Sequence, residues 1–292
     1  MIEYISSAQN PKIKKLLALQ QKSSERRSEG LFVVEGRREI EHCVEAGYEI
    51  DTVFVCPSVM PGGSLVMPGG DRASWTPDQV GGDSLVMPGG SLVMPGCDRA
   101  SAKVFQVSSS VYEKIAYRTG TEGIIAEVRT KALKLEDLKL GDNPLIVVLE
   151  SVEKPGNLGA VLRSADASGA DAVIVCDPLT DLYNPNLIRS SIGAIFTVPC
   201  VACSSKECID FLKSKGISIL TAQLQDSELY YDTDMKKGVA IVMGTESTGL
   251  TDIWRKAADA HIRSPMLGRL DSLNVSVSAD ILLFEAVRQR NG

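Results

Sequence analysis

The chain has 292 residues, 44% of them hydrophobic, and a formal net charge of -6. It is too apolar for a disordered chain and long enough for about two domains. No apolar run nears the ~20 residues that cross a membrane, and Met1 to Tyr4 lack a basic stretch leading into an apolar one, so the expectation is a cytoplasmic protein with no membrane partner.

Asn10-Pro11 reads as a helix start, an N-cap followed by proline at the first helical position, with Ile13, Leu16 and Leu17 at helical spacing behind it. Leu31 to Val34 reads as a short strand. Ile40, Cys43 and Val44 mark a second helix closed by Gly47, and Ile50 to Cys56 a further strand. Val104 to Val107 is another strand, Ser108 or Ser109 caps a helix running to Ala116, and Gly123 to Val128 closes the set. Strands alternating with helices predict a small α/β domain over residues 1–130.

An insertion interrupts it at about residues 59–102. The run Ser64 to Gly70 recurs as Ser84 to Gly90 and, shortened, as Ser91 to Gly96; Asp71 to Ser74 recurs as Asp98 to Ser101. Its Pro-Gly dipeptides are turn signals that allow no long strand or helix, so it reads first as an inert excursion and second as a lid. Residues 131–144 form a polar linker ending in Gly141-Asp142-Asn143-Pro144.

From Leu145 the texture changes. Leu145 to Leu149, Ala172 to Cys176, Ile217 to Leu220 and Val239 to Met243 are continuous apolar runs, the signature of parallel strands buried on both faces. Helical stretches at Asn157 to Ser168, Pro185 to Ala194 and Ser205 to Lys215 lie between them. The last helix, about Leu273 to Arg290, is apolar on most sides and is expected to be largely buried. The second domain is therefore a parallel-sheet α/β domain over residues 145–292.

Ligands of such sheets bind outside the carboxyl ends of the strands. Three polar, glycine-bearing loops stand there: Glu150 to Gly159 with Arg163 after the first strand, Gly244 to Leu250 after Met243, and Ser264 to Gly268 with Ser272 to Ser276 after Ile262. None is a phosphate-binding loop, and two histidines make a catalytic triad a poor prospect. The groups on offer are Asn157, Arg163, Glu246, Ser272 and Asn274. Singly each has a structural reading: Asn157 as a helix cap, Ser272 or Asn274 as the cap of the last helix, Glu246 as a turn cap, Arg163 as a surface or ion-pair residue.

The seven cysteines indicate no disulfide framework. Cys200, Cys203 and Cys208 cluster in sequence but lack a fourth ligand, so no metal is expected. Up to residue 40, eight basic residues face five acidic ones. Taken alone, this excess reads as a solvated helix face.

Taken together, Asn157-x-Gly159-x-x-x-Arg163-Ser164-Ala165, Gly244-x-Glu246-x-x-Gly249-Leu250, and Pro265-Met266 with Ser272-Leu273-Asn274-Val275-Ser276 resemble the three motifs of the SpoU–TrmH family of SPOUT RNA methyltransferases. The first domain resembles, more weakly, the substrate-binding domain similar to some ribosomal proteins, with Arg118-Thr119-Gly120 before its closing strand. The resemblance implies S-adenosylmethionine as methyl donor, a ribose 2'-hydroxyl of RNA as acceptor, a C-terminal trefoil knot and a homodimer with the active site near the subunit interface. It assigns Gly244, Ser264, Met266 and Leu273 to cofactor binding, although Ser264 stands where the family often has Ile and Ser278 where it often has Ala. It assigns Asn157, Arg163, Glu246, Ser272 and Asn274 to the catalytic set, with Arg163 activating the hydroxyl either as a base or as a charged orienter. Only with this resemblance do Lys12, Lys14, Lys15, Arg26, Arg27 and Arg37 become candidate phosphate contacts for RNA. Ribosomal RNA is preferred as substrate; tRNA, or a non-catalytic RNA-binding or ribosome-assembly role on the same fold, are the alternatives.

Overall fold

Asn10 folds back over the first turn of α1 (Pro11–Gln21), its side chain accepting from the Lys12 backbone N–H at 2.9 Å, as its place before proline predicts. The computed structural model describes residues 2–59, 102–117, 122–245, 248–269 and 272–292. The repeated Pro-Gly segment and Arg118-Thr119-Gly120 fall outside the described residues. The chain divides into two compact units. One runs to Lys131 and takes in Tyr183–Pro185; the other comprises Ala132–Leu182 and Asn186–Gly292.

The first unit carries a mixed sheet of β1 (Glu3–Ile5), β2 (Leu31–Glu35), β3 (Ile50–Val55), β4 (Lys103–Val107) and β5 (Ile124–Arg129), in the order β1-β4-β3-β5-β2. β4 runs parallel to β1 and β3, and β5 antiparallel to β2 and β3. α1 and the Ser108-capped α4 (Ser109–Ile115) supply Ile13, Leu16, Leu19, Val111 and Ile115 to a core shared with Phe54 and Ile125. α2 (Ser23–Glu29), ended by left-handed Gly30, and α3 (Arg37–Glu45) complete the unit. Neither β1 nor α2 was expected: three residues and a seven-residue polar run show no hydrophobic period. Tyr183 stacks on Phe32 with ring centroids 4.3 Å apart and hydrogen-bonds the Lys131 backbone, a contact no local pattern announces.

The second unit is built on seven parallel strands: β6 (Leu145–Glu150), β7 (Ala172–Cys176), β8 (Cys200–Cys203), β9 (Ser218–Ala222), β10 (Glu228–Leu229), β11 (Val239–Met243) and β12 (Ala260–Arg263). Their order is β10-β12-β9-β11-β6-β7-β8, and all pairs are parallel. Every residue of β6, β7 and β11 is buried, as the continuous apolar runs predict. Each buried Val, Leu or Ile there contributes about 1.5–3 kcal/mol relative to exposure. Helices cover both faces. α8 (Ser205–Ser214) and α9 (Asp252–Ala257) bring Cys208, Leu212 and Trp254 onto one. α5 (Pro155–Ser168) and α10 (Val275–Asn291) pack on each other, with α10 against β6 and β11.

Three sequence expectations are corrected. The helix predicted from Pro185 to Ala194 splits into α6 (Pro185–Ser191) and α7 (Ala194–Thr197), because Ile192 and Gly193 take φ of 53° and 83° and break the ladder. α5 starts earlier than expected, with Lys154 as N-cap, so Asn157 is the third helical residue and not the cap. α10 is covered on one side only: Val275, Ala279, Leu282, Leu283 and Ala286 are buried, while Val277 and Phe284 are 44% and 48% exposed. Among the described residues, no helix is long and apolar enough to cross a membrane.

Candidate active site

β11 delivers Gly244 to the carboxyl edge of the sheet, where the chain turns back sharply. The Gly249 N–H donates to the Thr245 carbonyl at 3.0 Å, and Gly249 itself has φ +67°. A Cβ on Gly244 would lie 2.3 Å from the Gly249 carbonyl carbon and oxygen, so only glycine closes this loop. Glu246, expected in the polar set, lies outside the described residues.

The far end of the loop is moored by Glu150, the buried last residue of β6. Thr251 donates to its carboxylate through the backbone N–H at 2.8 Å and the hydroxyl at 2.6 Å. The Ser205 hydroxyl lies 3.3 Å from Glu150 and 2.6 Å from Asp177, and accepts from the Trp254 indole at 3.1 Å. Sequence reasoning overlooked Glu150, though an acid ending an otherwise apolar strand has to find donors once buried.

A cavity of about 360 Å³ opens between the loops. Gly244, Ser264, Met266 and Leu273, the four residues expected to bind a cofactor, all line it, together with Ser272. Apolar Leu250, Ile262 and Leu282 line it alongside the hydroxyl-bearing Thr245, Ser264 and Ser278. Such a lining accepts a ligand with an apolar part and a polar, hydrogen-bonding part. Thr245 and Arg255 line it without having been assigned to it, their signal being adjacency to the motifs, and so does Ser278, noted in the sequence only as a departure from the family's Ala. A smaller cavity of about 130 Å³ adjoins, walled by Gly244, Thr245 and Val275 in common with the first and by Lys154 and Asn157 from the start of α5.

Asn274 is the N-cap of α10, accepting from the Ser276 N–H at 2.9 Å, while its Nδ2 donates to Asn157 Oδ1 at 3.3 Å. The first and third motifs are thus tied together beside the smaller cavity. Arg163 is not part of this group. Six residues past Asn157 is about 240° around a helix. Arg163 is exposed, lines neither cavity and makes no ion pair among the described residues.

The basic residues of the first unit are mostly engaged. Lys12 pairs with Glu3 at 2.7 Å and lies over the Phe105 ring, Lys15 reaches the buried Glu127 at 3.3 Å, and Arg37 pairs with Glu41 at 2.7 Å. Arg26 is a correction: it is 4% exposed and donates to the Leu19 and Gln20 carbonyls at the end of α1, so it closes a helix and does not face a polyanion. Lys14 and Arg27 are exposed and have no acidic partner among the described residues.

Comparison with known proteins gives consistent results. A model of the SpoU rRNA methylase family matches residues 144–284, and one of an MRM3-like substrate-binding domain matches residues 10–80. The 23S rRNA (guanosine-2'-O-)-methyltransferase RlmB of Ralstonia nicotianae is 37% identical over 175 residues, 58% of this chain and 70% of that protein. A crystal structure of an RNA 2'-O ribose methyltransferase superposes with TM-score 0.76 at 35% identity, covering 99% of this chain and 100% of its own. An AdoMet-bound rRNA methyltransferase from Sinorhizobium meliloti superposes with TM-score 0.80 at 26% identity, covering 98% of each chain.

Proposed function

The chain belongs to the SpoU rRNA methylase family, and from that premise we propose that it transfers the methyl group of S-adenosylmethionine to a ribose 2'-hydroxyl of ribosomal RNA. The observation that carries the reading is the convergence of Gly244, Ser264, Met266 and Leu273 on one cavity beside the Asn157–Asn274 pair.

S-adenosylmethionine, when bound, supplies an electrophilic methyl on a sulfonium. Leu250, Met266 and Leu273 would enclose its adenine, and the hydroxyls of Ser264 and Ser272 would meet its polar edges. Asn157 and Asn274, held to each other at 3.3 Å, would fix the ribose, because most of the rate gain in a two-substrate displacement comes from orientation. Glu246 and Ser272 are assigned to the same polar set by the motifs they belong to. The part of Arg163 is to hold a neighbouring phosphate and polarise the hydroxyl with its fixed fork of donors.

Arg163 reaches this chemistry in a homodimer. Val277 and Phe284, seven residues apart on α10, leave an apolar stripe exposed beside α5, which carries Arg163. A second copy covering that stripe would bring its own Arg163 to the cavity. The C-terminal segment passes from β11 across β9 to β12 and returns as α10 against β6 and β11, a path that suits the trefoil knot, one of the rare exceptions to unknotted topology. Residues 1–130 act as the RNA substrate-binding domain, presenting Lys14 and Arg27, residues 131–144 as the linker and 145–292 as the catalytic domain, working in the cytoplasm.

The test is methyl transfer from labelled S-adenosylmethionine to total RNA, with size separation and nucleoside analysis. A 2'-O-methylated nucleoside in large rRNA is expected. The label in tRNA would move the substrate and keep the chemistry. No incorporation with cofactor binding intact would replace the enzyme by a binding factor.

A further inference from the structure

Outside the active site, the fold assembles a group the sequence grouped differently. The expected cluster was Cys200, Cys203 and Cys208; the structure leaves Cys200 out and brings in Cys176. Cys176 ends β7, Cys203 ends β8 as its in-register partner, and Cys208 lies in the first turns of α8, directly after β8. The three sulfur atoms lie within 4.8 Å of one another. Cys176 and Cys208 are buried and Cys203 half-buried, so the group has an enclosed side and an open one.

We propose that Cys176, Cys203 and Cys208 form a three-thiolate site for a thiophilic divalent cation, Zn2+ in the first instance. Thiolates about 2.3 Å from a tetrahedral ion stand about 3.8 Å from one another, so the three sulfurs need shift by no more than about 1 Å to ligate. The surroundings call for a cation. Asp177 follows Cys176, and Glu207 caps α8 one residue before Cys208; both carboxylates act on Cys203. Among the described residues no other His, Cys, Asp or Glu completes the group, so water takes the fourth position on the Cys203 side. Binding breaks three S–H bonds, forms three metal–sulfur bonds and releases the protons to solvent; nothing is oxidised. A disulfide would use only two of the three sulfurs and leave the third's presence unaccounted for.

The ion would act on stability. It joins β7, β8 and the start of α8, and Ser205 in that start is the residue that meets Glu150 beneath the cofactor loop. A ligand that binds only the folded chain raises its melting temperature by mass action.

The experiment uses the full chain, reduced and kept free of oxygen. Cd2+ is titrated first, followed by its sulfur-to-metal charge-transfer absorption, and Zn2+ is then added in competition. The expected result is saturation at a single equivalent, displacement by Zn2+ and a higher melting temperature with either metal. Zn2+ should slow alkylation of Cys176, Cys203 and Cys208 on the order of tenfold or more and leave Cys200 unchanged. Cys203→Ser should abolish the absorption band, while Cys200→Ser retains it. A band that does not saturate, protection that misses these three residues, or a Cys176–Cys203 disulfide formed in preference to metal binding would overturn the proposal.

Discussion

Glu127 places a carboxylate in the interior of the first unit, 2% exposed, with one oxygen 3.3 Å from the half-exposed Lys15 and the other without a hydrogen-bond partner. Burial pushes its pKa above the usual carboxylate value, and Lys15 offsets this only in part. The sign follows: the folded chain holds this proton more tightly than the unfolded one, so the contribution to stability is favourable below the ordinary carboxylate range and is lost as pH rises through the raised value. Glu127→Gln should therefore melt about 2 °C higher near neutrality, the difference closing as pH falls below the ordinary carboxylate range. Melting curves across pH check it, and a variant less stable than the parent at neutral pH would show that the Lys15 pair outweighs burial. Single residues were unevenly legible in the sequence. Gly244, Ser264, Met266 and Leu273 were placed together by the family resemblance, and all four line one cavity at the carboxyl edge of the sheet, where ligands of such sheets bind. Arg26 could not be placed, because its charge shows in the sequence and the carbonyls left open by α1 do not.

At the scale of elements, the carboxyl edge of the second sheet is held by the contacts of Glu150 with Thr251, backed by Ser205 and Trp254. These tie the end of β6 to the starts of α8 and α9, and α9 follows directly on the loop that carries Gly244. Glu150→Ala would remove the acceptor of two Thr251 hydrogen bonds and of the Ser205 contact, a loss of about 1–3 kcal/mol. The expected result is a lower melting temperature with weaker S-adenosylmethionine binding, read as a raised KM at a nearly unchanged kcat, and partial rescue by Glu150→Gln, which keeps an acceptor. A fall in kcat at unchanged KM would move Glu150 from holding the loop to the chemistry. The long elements were legible because periodicity reports burial: β6, β7 and β11 by continuous apolar runs, α1 and α4 by their caps and spacing. The elements that escaped are short or obey no period. α2 is polar throughout, β8 has four residues, and the break between α6 and α7 rests on a left-handed Ile192 that no propensity favours.

For the whole molecule, the apolar character of α10 was read correctly and its consequence only half so: the pattern says that surface must be covered, not by which chain. One face packs on α5, β6 and β11; Val277 and Phe284 on another remain exposed. If a second copy covers them, Phe284→Asp should sediment as a monomer, lose methyl transfer by well over tenfold and bind S-adenosylmethionine within a few-fold of the parent, because the cavity's lining comes from one protomer. The exposed Arg163 then decides how the two copies share the work. Arg163→Ala and Asn274→Ala should each be inactive alone. Mixed and allowed to exchange subunits, half the dimers are heterodimers. If Arg163 serves the neighbouring cavity, each heterodimer has one site with both residues intact, and activity should return to about a quarter of the parent's. If Arg163 serves its own cavity, every site lacks one of the two residues and the mixture stays inactive. Recovery in the mixture therefore requires transfer of Arg163 across the dimer, and continued inactivity after demonstrated exchange would return it to its own protomer.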